Sequence, residues 1–399
     1  MKGKKMISEQ YRKMLAQKSV IRQLSEAASR RAAQIGAENV FDYSLGNPSV
    51  PAPESFHRAL RSLLENSDPM ALHGYSPTLG IPSVKEKIAD SLNRRFGMNY
   101  EPEHIFPVSA AAAAIAHALR AVTKSGDEVL TFAPFFPEYH PYVDLTGAQL
   151  KVVPPDTETF QPNLAAFEKL ITEKTKAVIV NTPNNPTGVV YSAETLKRLA
   201  DILEEKQKEW KTSIYLISDE PYRELVYGGV EVPWIPDFYR NTIVGYSFSK
   251  SLSLPGERIG YLVLPSEMDD SEAVKNAANV ATRILGYVNA PSFFQRVVAR
   301  CLEEKADIAY YDRNRETLYE GLKKAGLSCI KPEGAFYLFV KSPVEDEKVF
   351  CEKAKKQNLL LVPGSSFACP GYVRLAYCVS YEMIVRSLPH FEELMKEYR

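Results

Sequence analysis

A chain of 399 residues that is 45% hydrophobic and 25% charged has enough apolar material for one large α/β domain and a smaller one. Lys plus Arg and Asp plus Glu both count 49, so no net field argues for nucleic acid or an anionic membrane as a partner. The five cysteines, Cys301, Cys329, Cys351, Cys369 and Cys378, are odd in number, widely spaced and without a C-x-x-C pair, which argues against a disulfide framework or a zinc site and for free thiols in a reducing cytoplasm.

The basic first six residues run into Ser-Glu-Gln-Tyr-Arg, not an apolar segment, so no signal peptide is expected, and no apolar run approaches a membrane-spanning length. Residues 6–35 read as a helix ending at Gly36, an arm that packs elsewhere on the molecule. A short strand over 41–45 leads to Gly46-Asn47-Pro48, where Gly46 is a turn glycine or a point of close backbone approach. Helices follow over 54–65 and 82–96, the second with Pro82 in its first turn, and between them lies the loop His73-Gly74-Tyr75-Ser76-Pro77-Thr78-Leu79-Gly80. Ser109 is placed to cap a helix over 110–122. The free N–H groups of Ala110 and Ala111, with the helix dipole, then make an anion site that needs no side chain.

Strands over 127–132, 149–153, 176–181, 214–217, 241–245 and 259–264 alternate with helices over 162–171 and 192–209, the pattern of a mostly parallel sheet. A helix over 266–283 precedes a long, bent one from 290 to 324, the hinge to a smaller unit. There strands (328–331, 335–340, 359–362, 372–376) alternate with helices (345–357, 380–397). No internal repeat appears.

Three polar signatures each follow a strand: Asn181-Thr182-Pro183-Asn184-Asn185-Pro186-Thr187-Gly188, then Ser218-Asp219-Glu220-Pro221-Tyr222, then Tyr246-Ser247-Phe248-Ser249-Lys250 running on to Gly256-Glu257-Arg258-Ile259-Gly260. Open α/β sheets place their chemistry at such strand ends. A lysine there forms a Schiff base once burial or nearby cations lower its pKa. Arg258, flanked by Gly256 and Gly260, suits a close phosphate contact, and Ser247 adds a hydroxyl donor. In Gly371-Tyr372-Val373-Arg374-Leu375-Ala376 an arginine interrupts an apolar strand, and a buried guanidinium needs an anionic partner, either a protein carboxylate or a bound acid.

In this order the three signatures resemble those of the fold-type I pyridoxal 5′-phosphate (PLP) enzymes, specifically the class I/II aminotransferases, and the resemblance runs from about Ile21 to the C-terminus. It implies an α/β fold with a large domain built on a mostly parallel seven-stranded sheet flanked by helices, plus a smaller α/β domain. The boundaries expected are 1–45 for an N-terminal arm joining the small domain, 46–288 for the large PLP-binding domain, and 289–399 for an interdomain helix and the small domain. It further implies that Lys250 carries PLP and shuttles the proton, that Asp219 partners the pyridine nitrogen, and that Asn185 and Tyr222 bond the ring's 3′-oxygen. Phe136 stacks on the ring, while Phe135 is core. Ser109, Ala110, Ala111, Ser247 and Arg258 hold the phosphate, with Tyr75 reaching across a homodimer to the other subunit's site. Gly46, Asn185 and Arg374 hold the substrate carboxylate. Two departures stand out: alanine replaces the family's usual glycine in the loop at 110–111, and Ala112 replaces a lysine that some members use for a distal carboxylate. One branch puts an arginine for that carboxylate within a residue of Arg283. Arg283 is read first as a surface-helix residue; the alternative reading makes aspartate a donor.

No G-x-G-x-x-G, P-loop, H-E-x-x-H or G-x-S-x-G motif competes, and His57, His73, His104, His117, His140 and His390 form no ligand spacing. The resulting expectation is a cytoplasmic, homodimeric aminotransferase acting on an L-amino acid and a 2-oxo acid without nucleic acid, membrane or metal. A PLP-dependent carbon–sulfur β-lyase, which would share every motif, is the alternative. A non-catalytic regulator that kept the fold is a further one.

Overall fold

The computed structural model describes residues 7–8, 11–12, 15 and 19–398. The first part of the helix expected over 6–35 falls largely outside these residues, and the described helix runs Val20–Ile35. A two-residue strand, β1 (Phe41–Asp42), follows. It stops sooner than expected because Asp42 Oδ1 turns back to accept from the Ser44 N–H (2.8 Å) and hydroxyl (2.6 Å).

Seven strands build the main sheet: β2 (Ile105–Val108), β3 (Glu128–Phe132), β4 (Gln149–Val153), β5 (Thr175–Asn181), β6 (Tyr215–Glu220), β7 (Thr242–Ser247) and β8 (Gly260–Val263). Their spatial order is β2-β8-β7-β6-β5-β3-β4. Apart from Lys176, every residue of β5, β6 and β7 is buried, as expected of parallel strands covered on both faces. On one face the alanine-rich helix Ala110–Val122 packs Ala113, Ala114 and Ala118 against Ile243 and Leu262. On the other, the helix Ala193–Trp210 packs Leu196, Leu199 and Leu203 against Val178, Val180 and Leu216.

The sheet is mixed. β8 runs antiparallel to both neighbours, β7 and β2. The link from β7 to β8 holds only a one-turn helix, Phe248–Ser251, too little for the crossover a parallel pair needs. The strand expected to close the sheet at 259–264 is therefore interior, and β2 forms the edge. β2 escapes a sequence reading because Pro107 argues against a strand, yet an edge strand tolerates proline.

Register then sets the site. Asn181 lies opposite Asp219, and Asp219 opposite Gly245, so the C-terminal ends of β5, β6 and β7 carry the three polar signatures side by side.

The remaining strands are β9 (Ser328–Cys329), β10 (Tyr337–Lys341), β11 (Leu359–Leu360), β12 (Val362–Pro363) and β13 (Tyr372–Ala376). Four form an antiparallel sheet in the order β12-β13-β10-β9, while β11 pairs in parallel with β1. The segment expected as one strand over 359–362 is thus divided between two sheets. Helices Ile308–Ala325 and Tyr381–Met395 bury Leu318, Leu322, Ile384 and Phe391 with Leu338 and Leu375 of the small sheet.

The long helix expected over 290–324 is two helices, Ser292–Val298 and Ile308–Ala325. Between them the Ala306 N–H donates to the Ser251 carbonyl (2.7 Å), and Asp307 caps the second helix at the Tyr310 N–H (3.0 Å). The break spends helical bonds on anchoring the turn that carries Lys250.

Candidate active site

β7 ends at Ser247, whose hydroxyl accepts from the Ser249 N–H (3.1 Å) and so starts the one-turn helix bearing Lys250. The Lys250 amine points back across the strand ends and donates to the Gly46 carbonyl (2.6 Å). Burial, with Arg258 and Arg374 near, brings its pKa down to about 8, while Cys378 acts the other way. A side chain at Gly46 would overlap the Tyr337 hydroxyl, so only glycine brings this backbone to the amine.

Asp219, buried at the end of β6, accepts from the Tyr139 hydroxyl on Oδ2 (2.6 Å), and its Oδ1 is buried without a hydrogen-bond partner. Burial pushes this carboxyl up to about 7. The Tyr139 hydrogen bond opposes the rise and the charge of Glu220 adds to it.

The loop after β5 is locked by Asn181, whose Oδ1 accepts from the Asn185 N–H (2.8 Å) and whose Nδ2 donates to the Asp219 carbonyl (2.8 Å). Asn185 Oδ1 accepts from Arg374 Nη1 (3.2 Å). Arg374, on β13, is only 2% exposed, and its Nη2 donates to the Ser44 carbonyl. Its guanidinium lies over the Tyr337 ring (4.6 Å to the centroid) and the Phe367 ring (5.0 Å), and its Nε is buried without a partner. Among the described residues no carboxylate forms an ion pair with it, so the structural salt bridge considered from sequence is not there. Tyr222 and Tyr337 share a hydroxyl–hydroxyl hydrogen bond of 2.8 Å, and burial holds Tyr222 protonated.

These groups line one cavity of about 280 Å³ that also takes in Phe136, Ala110, Ala111, Ser247 and Arg258. Phe135, by contrast, is packed in the core. Ala110 adopts a left-handed backbone (φ 69°), the conformation for which glycine is the usual choice. Room for it comes from Gly260, where a Cβ would lie 3.1 Å from the Ala110 Cα.

Three residues singled out from the sequence, Ser109, Tyr75 and Arg283, do not line this chain's cavity. Ser109 does not line the cavity, and its side chain caps no N–H, because the turn at Ala110 takes the first helical amides away from it. Tyr75 is 93% exposed, which excludes burial against its own domain. Its loop is tied by Ser76 to Asn289 (2.8 Å) and Gln295 (3.0 Å). Arg283 is exposed in the last turn of the helix Ser271–Ile284, outside the cavity, as a surface residue.

Tyr139, Tyr337 and Ile21 were not expected at the site. Tyr139 stands three residues beyond Phe136, and asking what satisfies a buried Asp219 would have found it. Tyr337 and Ile21 carry no local signal, since both arrive through docking of distant elements.

The two unpartnered buried atoms define what fits. Asp219 Oδ1 is an acceptor awaiting a donor such as a protonated ring nitrogen, and Arg374 Nε is a donor awaiting a carboxylate. With a buried amine lining the same cavity, the residues present fit PLP and an amino acid.

A family model described as aminotransferase class I and II matches residues 38–389. Aspartate aminotransferase of Thermotoga maritima is 32% identical over 90% of this chain and 92% of its own length. Aromatic-amino-acid aminotransferase 2 of Thermococcus litoralis is 29% identical over 91% and 93%. Among solved structures, an amino transferase from Eubacterium rectale superposes with a TM-score of 0.97 at 46% identity, covering 99% of this chain and all (100%) of that one.

Proposed function

The chain belongs to the class I and II aminotransferases, PLP-dependent transaminases of fold type I, and on that premise we propose that Lys250, Asp219 and Arg374 are the residues with which it moves an amino group from an L-amino acid to a 2-oxo acid. One observation carries this reading: a buried amine of lowered pKa, an unpartnered carboxylate oxygen and an unpartnered guanidinium nitrogen line a single cavity.

When bound, PLP supplies an aldehyde that condenses with amines and a ring that draws electrons from the adjoining carbon. Lys250 is the attachment point. With a pKa near 8 its amine has an unprotonated fraction near neutral pH and, when free, would take the substrate's Cα proton and return it. Asp219 keeps Oδ2 on Tyr139 and has Oδ1 free for the ring nitrogen, and a positive charge there would let the buried carboxyl ionise. Tyr222, steadied by Tyr337, and Asn185 would bond the ring's 3′-oxygen, and Phe136 would supply the aromatic face beside the ring. Ser247, Arg258 and the amides of Ala110 and Ala111 hold the phosphate. Arg374 takes the α-carboxylate, and the bonds from Asn185 and Ser44 preset its orientation.

A second copy of the chain completes the site. The support is an exposed apolar set, Tyr75 at 93% and Ile284 at 67%, with Tyr287 and Val288 on the loop joined to Tyr75 through Asn289 and Ser76. Light scattering should give a dimer, and Tyr75→Phe should loosen cofactor retention without dissociating it; a monomer that binds PLP normally contradicts this. Five unpaired cysteines support a reducing, cytoplasmic setting.

The test is a half-reaction scan, in which single L-amino acids are added to the holoenzyme without oxo acid while visible absorbance, pyruvate and ammonia are followed. Conversion to the pyridoxamine form without ammonia is the expected result. An unchanged spectrum with ammonia and pyruvate from cystathionine means a β-lyase, a reading that the named aminotransferase relatives do not favour.

A further inference from the structure

We infer that Tyr337 is a positioning residue joining the two halves of this site: its hydroxyl donates to Tyr222 and so directs the proton that Tyr222 offers the cofactor's 3′-oxygen, while its ring is the platform on which the Arg374 guanidinium rests. This rests on the aminotransferase reading above and deepens it at the same site.

Topology delivers Tyr337 to both groups. Tyr222 lies just beyond β6 of the main sheet, whereas Tyr337 opens β10 of the small sheet. On the small sheet Arg374 stands opposite Phe339. Positions 337 and 339 share a face, so Tyr337 is the diagonal neighbour of Arg374, within reach of an aromatic side chain. The guanidinium carbon lies 4.6 Å from the ring centroid, and the hydroxyl at the tip of the same ring meets the Tyr222 hydroxyl at 2.8 Å. That hydroxyl also packs against Gly46, whose carbonyl accepts from the Lys250 amine. One buried side chain thus touches the groups proposed for the substrate carboxylate and the 3′-oxygen, and the backbone that holds the lysine.

Counting protons sets the direction of the bond. Burial holds Tyr222 protonated and pushes Tyr337 up to about 12, so near neutral pH each hydroxyl carries one proton and can donate one hydrogen bond. The 3′-oxygen, when it carries negative charge, is an acceptor only, so the proton of Tyr222 goes there. The proton in the 2.8 Å bond then belongs to Tyr337. A hydroxyl that accepts a hydrogen bond is the stronger donor for it, and this one is also held from rotating away from the cofactor. A hydrogen bond donated to the 3′-oxygen stabilises its negative charge and favours proton loss at the neighbouring Lys250 nitrogen.

The experiment titrates the visible absorbance of the holoenzyme with pH and then measures the KM of its best amino donor. Tyr337→Phe keeps the ring and removes the hydroxyl, so the spectral midpoint should rise by about 0.3 pH unit or more, while the donor KM stays within about twofold. Tyr337→Leu removes the ring as well, and the KM should climb by about threefold or more. Tyr222→Phe should raise the midpoint further than Tyr337→Phe does. Adding Tyr337→Phe to Tyr222→Phe should then change nothing more, because Tyr337 acts through Tyr222. A midpoint that falls or stays put in Tyr337→Phe, additive shifts in the double variant, or equal KM values in Tyr337→Phe and Tyr337→Leu overturn the inference. Should Tyr337→Leu fail to fold, Tyr337→Phe and the double variant decide it. If no amino acid converts the holoenzyme, the aminotransferase reading fails, whereas the spectral midpoints still judge Tyr337.

Discussion

Replacing Asp219 with asparagine should stabilise the cofactor-free protein while crippling the holoenzyme. In the folded chain the carboxyl sits near pKa 7 against an ordinary 3.8, because it is buried with Oδ1 unpartnered. A carboxyl whose folded pKa is raised binds its proton more tightly in the folded than in the unfolded state. Stability therefore falls as pH rises from about 4 to about 7 and stays lower above that. The gap converts to about 4 kcal/mol at ~1.36 kcal/mol per pH decade. For a chain of this length that is about 5 °C in melting temperature. Asparagine keeps an acceptor for Tyr139 and removes the ionisation. Calorimetry of cofactor-stripped protein at pH 5 and pH 8 should show wild type losing most of that amount and Asp219→Asn losing little. Reconstituted with PLP, the variant should lose about 10²-fold or more in rate, the scale of losing one preorganised charge partner. If its cofactor-free form loses as much stability as wild type between the two pH values, or its holoenzyme stays fully active, the account of Asp219 as a carboxylate waiting for a cationic donor is wrong.

Lys250→Ala should abolish turnover and leave the fold intact by circular dichroism; a variant that still turns over removes the basis of the assignment. His117 is buried with neither ring nitrogen partnered, and burial lowers its pKa to about 4 from 6.5. As pH falls through that window the unfolded chain gains the proton first, so about 3 kcal/mol of stability should disappear, and His117→Phe should flatten that part of a urea-midpoint profile against pH. Ala110→Gly should relieve the left-handed backbone and stabilise the protein by up to about 1 kcal/mol in denaturant melts, with activity retained. A loss of stability there would mean the alanine methyl packs better than the backbone is strained.

Much of the molecule was legible before any coordinates. Apolar runs bounded by polar signatures identify β5, β6 and β7, put Asn185 and Lys250 just beyond β5 and β7 and put Asp219 at the end of β6, because hydrophobic period and turn chemistry are local properties. Arg374 was conspicuous for a similar reason, a fixed charge in a strand whose neighbours are all apolar. What the sequence left open is non-local. Whether β8 runs parallel or antiparallel depends on how far a twelve-residue link can reach. The division of the 290–324 helix depends on a bond from Ala306 to Ser251. The company of each candidate site group was equally hidden: Tyr139 on Asp219, Tyr337 against Tyr222, Asn185 and Ser44 on Arg374 where a carboxylate was one reading. The chemistry available and the strand ends that carry it follow from local residue order. Which buried atoms lack partners, and that Ile21 reaches the same cavity, follow from packing instead, because burial and pairing are set by elements hundreds of residues apart meeting in one core.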